Sequence, residues 1–256
     1  MFRPRPRVLG GVRWISAGHP LALLAAGVLL AGCGGGGDHK TAKSAGPSAR
    51  TTPASPSPAP SYAPGRVAAA LLSTHDVDPH VAEQPLSTPA LKDHAVPSCS
   101  LSAIKPSGSP EIKAHEFNTS RYGGANFGQI ALTYPDAAAA SAMFATIRAK
   151  VTGCPAKKHV PQKTLSGDRI ALAHDDTWRA SDETTPGWSH VRGFEKSLIS
   201  PSSSVINVFY RVYDYVSRGN VVLVSMYWER VGPKASGDPV TEKATALLTK
   251  QLGRLP

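Results

Sequence analysis

Residues 205–231 read VINVFYRVYDYVSRGNVVLVSMYWERV, and this stretch constrains the fold more than any other. Two runs rich in β-branched and aromatic residues flank Arg218-Gly219-Asn220. Gly and Asn accept the backbone that a tight turn demands, so the runs are expected to pair as an antiparallel hairpin. Alternation puts Ile206, Val208, Tyr210, Val212 and Val216 on one face of the first run, with Asn207, Phe209, Arg211, Tyr213 and Tyr215 on the other. In the second run Val222, Val224, Met226 and Trp228 stand opposite Val221, Leu223, Ser225 and Tyr227. Sheet faces of this kind need a covering layer, and helices are the expected cover.

The elements for such a fold are present. EIKAHEFNTSRY and ANFGQIALTYP read as two strands joined at Gly123-Gly124. DAAAASAMFATIRAKV follows as a helix, with Asp136 near its N-cap, Ala139, Met143, Ile147 and Val151 on its apolar side, and Gly153 closing it. A loop is expected from Cys154 to Ser166, then strands in RIALAHDDTWRAS and WSHVRGFEKSLI. DPVTEKATALLTKQLGRL reads as a last helix capped by Asp238, with Pro239 at its first position and Ala244, Leu247, Leu248 and Leu252 as its stripe. A short helix over Arg66–Ser73 and a proline-punctuated stretch up to Cys99 precede the first hairpin. The expected fold is therefore α+β: one domain, residues 66–256, with an antiparallel sheet of about six strands flanked by helices.

The amino-terminal part has a different character. Residues 1–32 begin with Arg3, Arg5, Arg7 and Arg13 and no acid, then run through PLALLAAGVLLAG. That apolar run is too short to cross a bilayer, which needs roughly 20 residues, and reads as a secretory signal. Leu30-Ala31-Gly32-Cys33 resembles a bacterial lipobox. The resemblance implies cleavage before Cys33 and a diacylglyceryl group on its sulfur, the thiol being the suitable nucleophile. Residues 33–65 are dominated by Gly, Ser, Thr, Ala and Pro and read as a disordered tether after the lipidated cysteine. The expected location is thus the extracytoplasmic side of the cell membrane, with the lipid as anchor. Of the formal charge of +10, residues 66–256 contribute only +4. No basic cluster or finger spacing is present, so nucleic acid is not an expected partner.

With Cys33 lipidated, Cys99 and Cys154 are the cysteines left to pair in an oxidising compartment. Two free thiols or a redox pair are the alternatives, although the C-x-x-C spacing of a redox pair is absent.

The order of features from residue 66 to 256 resembles the extracellular sensor domain of actinobacterial membrane Ser/Thr kinases of the PknH type and their standalone lipoprotein relatives. The features are LLSTHDVDP, the cysteine frame of Cys99 and Cys154-Pro155, YPDAAAASAMFATI, and VSRGNVVLVSMYW. The resemblance implies an antiparallel sheet with helices around a cleft that binds an envelope ligand. The kinase member carries two disulfides, whereas this chain can form one, and no kinase portion is present.

Chemistry is sparse. G-x-S-x-G does not occur, and Ser102-Ala103-Ile104-Lys105 fits S-x-x-K without the companion motifs. His75, Asp76, Asp78 and His80 match neither zinc nor calcium spacing, and His174-Asp175-Asp176 reads as a bend in a strand region. Neither a catalytic group nor a cofactor or metal is implied. The best ligand-binding surface is aromatic and cationic: Phe209, Arg211, Tyr213, Tyr215 and Tyr227, unless a helix covers it. The leading expectation is a non-catalytic ligand-binding or sensor-like envelope lipoprotein. A cell-wall hydrolase with an unrecognised site and a structural partner in an envelope complex are the alternatives.

Overall fold

Eight strands join in one antiparallel sheet: β1 (Val81–Gln84), β2 (Glu111–Thr119), β3 (Asn126–Thr133), β4 (Lys157–Val160), β5 (His174–Thr185), β6 (Trp188–Ile199), β7 (Val208–Arg218) and β8 (Val221–Val231). Their order is β1-β2-β3-β8-β7-β6-β5-β4. The structure is a computed structural model that describes residues 59–119, 124–164, 170–200 and 206–256. Residues 1–32, Cys33, the tether as far as residue 58 and Gly123 of the first turn lie outside the described residues. The sheet and its helices belong to the unit Ser55–Pro256.

The expected α+β architecture is present, with eight strands rather than six. The two additional strands are the edges. Four-residue β1 buries only Val81, and β4, which falls in the expected Cys154–Ser166 loop, is Lys-Lys-His-Val and largely exposed. Edge strands are short and charged because one side has no partner, so neither shows the alternation that reveals a buried strand.

Among the described residues five α-helices accompany the sheet: α1 (Pro64–Ala70), α2 (Thr74–Val77), α3 (Pro89–Lys92), α4 (Ala137–Thr152) and α5 (Asp238–Leu252). Helix α4 starts at Asp136, whose carboxylate accepts the Ala139 N–H at 2.8 Å, and ends at Gly153. It lays Met143, Phe144, Ile147 and Val151 on Tyr213, Tyr215, Val222, Val224 and Met226. Each such aliphatic or aromatic side chain contributes about 1.5–3 kcal/mol on full burial. Helix α5 covers the opposite face through the expected stripe, with Leu247 and Ala244 beside Tyr210 and Val212, and Leu248 and Leu252 beside Val216 and Leu223. Its N-cap is Gly237 and not the expected Asp238, because the first helical bond runs from the Thr241 N–H to the Gly237 carbonyl at 3.0 Å.

The folded part also begins before residue 66. Tyr62 is buried, and its main chain is clamped by Asn220: its N–H donates to Oδ1 at 2.7 Å and its carbonyl accepts from Nδ2 at 3.1 Å. Among the described residues no helix is long and apolar enough to cross a membrane.

Candidate functional site

Cys99 and Cys154 form a disulfide. The bond ties the end of α4 to the segment before β2, and Ser100 continues the link into the sheet. Its N–H donates to Glu195 at 3.2 Å and its hydroxyl to Asp176 at 2.6 Å. Both carboxylates are buried. Burial pushes the Glu195 carboxyl up from its ordinary range, and Arg211 and the Tyr213 hydroxyl pull partly against it. Asp176 therefore belongs to β5 as a buried anchor, where sequence suggested a bend.

The expected aromatic and cationic surface is dispersed by the fold. Tyr213 and Tyr215 are both 0% exposed beneath α4, with hydroxyls donating to Glu195 at 2.7 Å and to the Pro97 carbonyl at 2.9 Å. They are pillars of the core. Tyr227 does not share their face: it pairs across the strands with Val212 and packs in the layer under α5. The residue opposite Tyr213 is Met226, which precedes Tyr227 on β8, and side chains directly opposite on paired strands point the same way. Arg211 stays half-buried, donating to the Ser197 hydroxyl at 2.7 Å beside Phe209. It lines a small cavity of about 180 Å³ with His174, Ile199 and Leu172.

A larger cavity of about 450 Å³ opens on the other side, between the β5–β6 hairpin, the second half of α5 and the last residues of the chain. Trp188, Leu248, Leu252 and Leu255 form apolar wall, and His190, Arg192 and Arg218 bring charge or polarity to it. These groups converge because of strand register. His190 and Arg192 are two apart on β6 and so share a face, and Arg192 lies opposite Asp214 of β7. Asp214, 1% exposed, accepts from Arg192 Nε at 2.6 Å and lies 2.9 Å from His190 Nε2. His190 Nδ1 is in turn 2.8 Å from the Thr185 hydroxyl, at the cavity wall. The line Thr185–His190–Asp214 can pass a proton from hydroxyl to imidazole while the carboxylate orients the ring. Among the described residues Asp214 Oδ2 has no hydrogen-bond donor.

Sequence reasoning did not single out His190, Arg192 or Asp214. The signal available was the alternation in WSHVRGF and the one acid among the apolar residues of β7, and only cross-strand register joins the two. His75, Asp76, Asp78 and His80 do not converge on a site. Asp76 instead binds Lys250 at 2.9 Å and Arg254 at 2.6 Å, holding α2 to the end of α5. Among the described residues no group of three or more His, Cys, Asp or Glu side chains is placed to hold a metal ion.

The site is thus a half-enclosed, apolar-floored cavity with cationic rim groups on a disulfide-tied α+β domain. No protein-family model matches the chain. No curated protein matches it either. Among solved structures it is similar to the extracellular domain of PknH from Mycobacterium tuberculosis, at 15% identity and a TM-score of 0.48, over 76% of this chain and 98% of that one. An uncharacterised protein from Mycobacterium smegmatis is similar at 11% identity and a TM-score of 0.33, over 72% of this chain and 94% of that one.

Proposed function

We propose that the chain is an extracytoplasmic lipoprotein of the cell envelope whose folded domain binds a small ligand in the cavity beside α5. The observation that carries the reading is the cavity itself. Its volume of about 450 Å³ falls in the range of small-molecule sites, and a few polar groups converge on an apolar wall. The disulfide suits an oxidising compartment. The lipobox at Leu30–Cys33 and the tether after it supply the means of attachment, with the diacylglyceryl group on Cys33 as the anchor.

Two experiments test the two halves of this reading. Cys33→Ser is expected to move the protein from the membrane to the soluble fraction and to remove the acyl mass; full membrane retention overturns the anchor. Native mass spectrometry of the chain purified from envelopes is expected to show a co-purifying small molecule that Thr249→Trp, at the exposed rim of the cavity, displaces. A bound molecule retained by that variant places the ligand elsewhere.

One observation favours hydrolysis as a second reading. The Thr185–His190–Asp214 line has the spacing of a hydroxyl nucleophile, its base and the group that orients the base. Ester hydrolysis by the wild type that Thr185→Ala abolishes would establish it, and equal rates in the two proteins would remove it.

A further inference from the structure

We infer that the cavity takes an amphipathic anion: a methylene chain carrying a single carboxylate or phosphate head, seated with its head at Arg218. This rests on the reading that the cavity is the ligand site, and adds the chemical class of its occupant.

The two arginines of the cavity are not equivalent. The charge of Arg192 is matched by buried Asp214 at 2.6 Å, and one of its remaining N–H groups donates to Thr245 at 2.9 Å. Arg218 has no such partner. Its guanidinium lies 6.0 Å from the centre of the Trp188 ring, and one nitrogen is 3.5 Å from the Leu255 carbonyl. Among the described residues no carboxylate lies within ion-pair distance of it. A half-buried guanidinium beside an aromatic ring is a strong donor to an anionic head, because the reduced dielectric amplifies the attraction and the planar fork matches carboxylate and phosphate oxygens.

The wall beyond Arg218 selects for a chain. Trp188, Leu248, Leu252 and Leu255 bring large apolar side chains to it. The hydroxyls on the α5 side are already committed: Thr249 donates to the Thr245 carbonyl at 2.9 Å, and Thr245 to the Thr241 carbonyl at 2.9 Å. Methylenes laid along this wall gain from leaving water. Among the described residues one side-chain carboxylate lines the cavity, that of Glu183, which is exposed and accepts from the Ser181 hydroxyl at 2.7 Å.

The test uses the full chain carrying Cys33→Ser, so that its own acyl groups do not compete, and follows binding by native mass spectrometry and calorimetry. Dodecanoate and dodecyl phosphate are expected to bind one to one. Across octanoate, decanoate and dodecanoate the affinity rises by roughly fourfold per methylene. Dodecanol binds at least tenfold more weakly than dodecanoate, and acetate does not bind. Arg218→Gln lowers dodecanoate affinity about tenfold while leaving that of dodecanol unchanged, and Thr249→Trp lowers both. Phosphatidylcholine vesicles carrying lauroyl lysophosphatidylglycerol separate the sources: transfer of the lysolipid to the protein identifies a membrane lipid, and binding of dodecanoate alone identifies a free acid. Equal affinity for dodecanol and dodecanoate, or an Arg218→Gln effect shared by both, overturns the anionic head. If no chain compound binds yet the molecule co-purified from envelopes is displaced by Thr249→Trp, the class is wrong and the cavity remains the site. Binding that survives Thr249→Trp overturns both.

Discussion

The indole N–H of Trp178 on β5 donates to the main-chain carbonyl of Val151 in the last turn of α4, at 2.8 Å. Carbonyls at a helix C-terminus have no partner within the helix, so this bond satisfies one of them and docks α4 on the sheet. The ring is in contact with Tyr213 and lies directly over Gly193 of β6.

Gly193→Ala is expected to disrupt that docking. A Cβ at position 193 would lie 2.3 Å from the Trp178 ring, so the indole must move and its hydrogen bond must lengthen or break. The expected loss is about 1–3 kcal/mol, read as a lower urea midpoint together with a change in tryptophan fluorescence. An unchanged midpoint would mean that the ring relaxes without loss.

Breaking the Cys99–Cys154 bond is expected to destabilise the domain by about 4 kcal/mol, since it closes a loop between residues 55 apart in sequence. Urea unfolding of the oxidised chain, the reduced chain and the double Cys→Ser variant checks this, and the last two should coincide. Identical stability with and without reductant would show that the hydrogen bonds of Ser100 hold the segment unaided.

Asp76 is expected to make stability fall with acid. Burial pulls its carboxyl upward, but the Ser73 N–H, Lys250, Arg254 and the Ser73 hydroxyl outweigh this and hold it well below the ordinary carboxylate range. A depressed folded-state value contributes stability above the unfolded value of roughly 4, which is lost as pH falls below it. Asp76→Asn is expected to lose about 1–2 kcal/mol at neutral pH, the partners being partly exposed and screened. Its deficit should shrink on acidification, and melting at pH 7 and pH 3 reads the difference. A constant deficit would assign the effect to packing.

Asn220→Ala is expected to release the residues that lead into the fold. Its side chain accepts the Tyr62 N–H at 2.7 Å and donates to the carbonyls of Tyr62 at 3.1 Å and Tyr134 at 2.9 Å. Losing these buried bonds is expected to destabilise by about 2–4 kcal/mol and to open residues 59–63 to limited proteolysis. Gly219→Ala should act in the same direction, because Gly219 has φ +56° and a Cβ there would meet the Pro60 carbonyl oxygen at 1.8 Å. Unaltered cleavage in Asn220→Ala would show that the Tyr62 ring, whose hydroxyl reaches the Pro256 carbonyl at 3.3 Å, suffices as an anchor.

What could be read from the chain alone was local. The β7–β8 hairpin, the two faces of each of its strands, α4 with its Asp136 cap and the apolar stripe of α5 follow from periods of two and about 3.6 residues, and these periods recur within a few positions. The cysteine pair was legible by elimination, since few thiols were available. The edge strands β1 and β4 were not legible, because a strand paired on one side and facing water carries no alternating signal. Nor was the fate of Tyr213, Tyr215 and Tyr227: alternation sorts side chains within one strand, but which layer covers a face, and which residues of two strands lie side by side, depend on partners far away in sequence. The same long-range register brought Thr185, His190, Arg192 and Asp214 to one wall of a cavity. The sequence by itself determined how each central strand and each long helix divides its faces; the tertiary structure decided which polar side chains are buried together, because that depends on cross-strand pairing and helix packing rather than on neighbours along the chain.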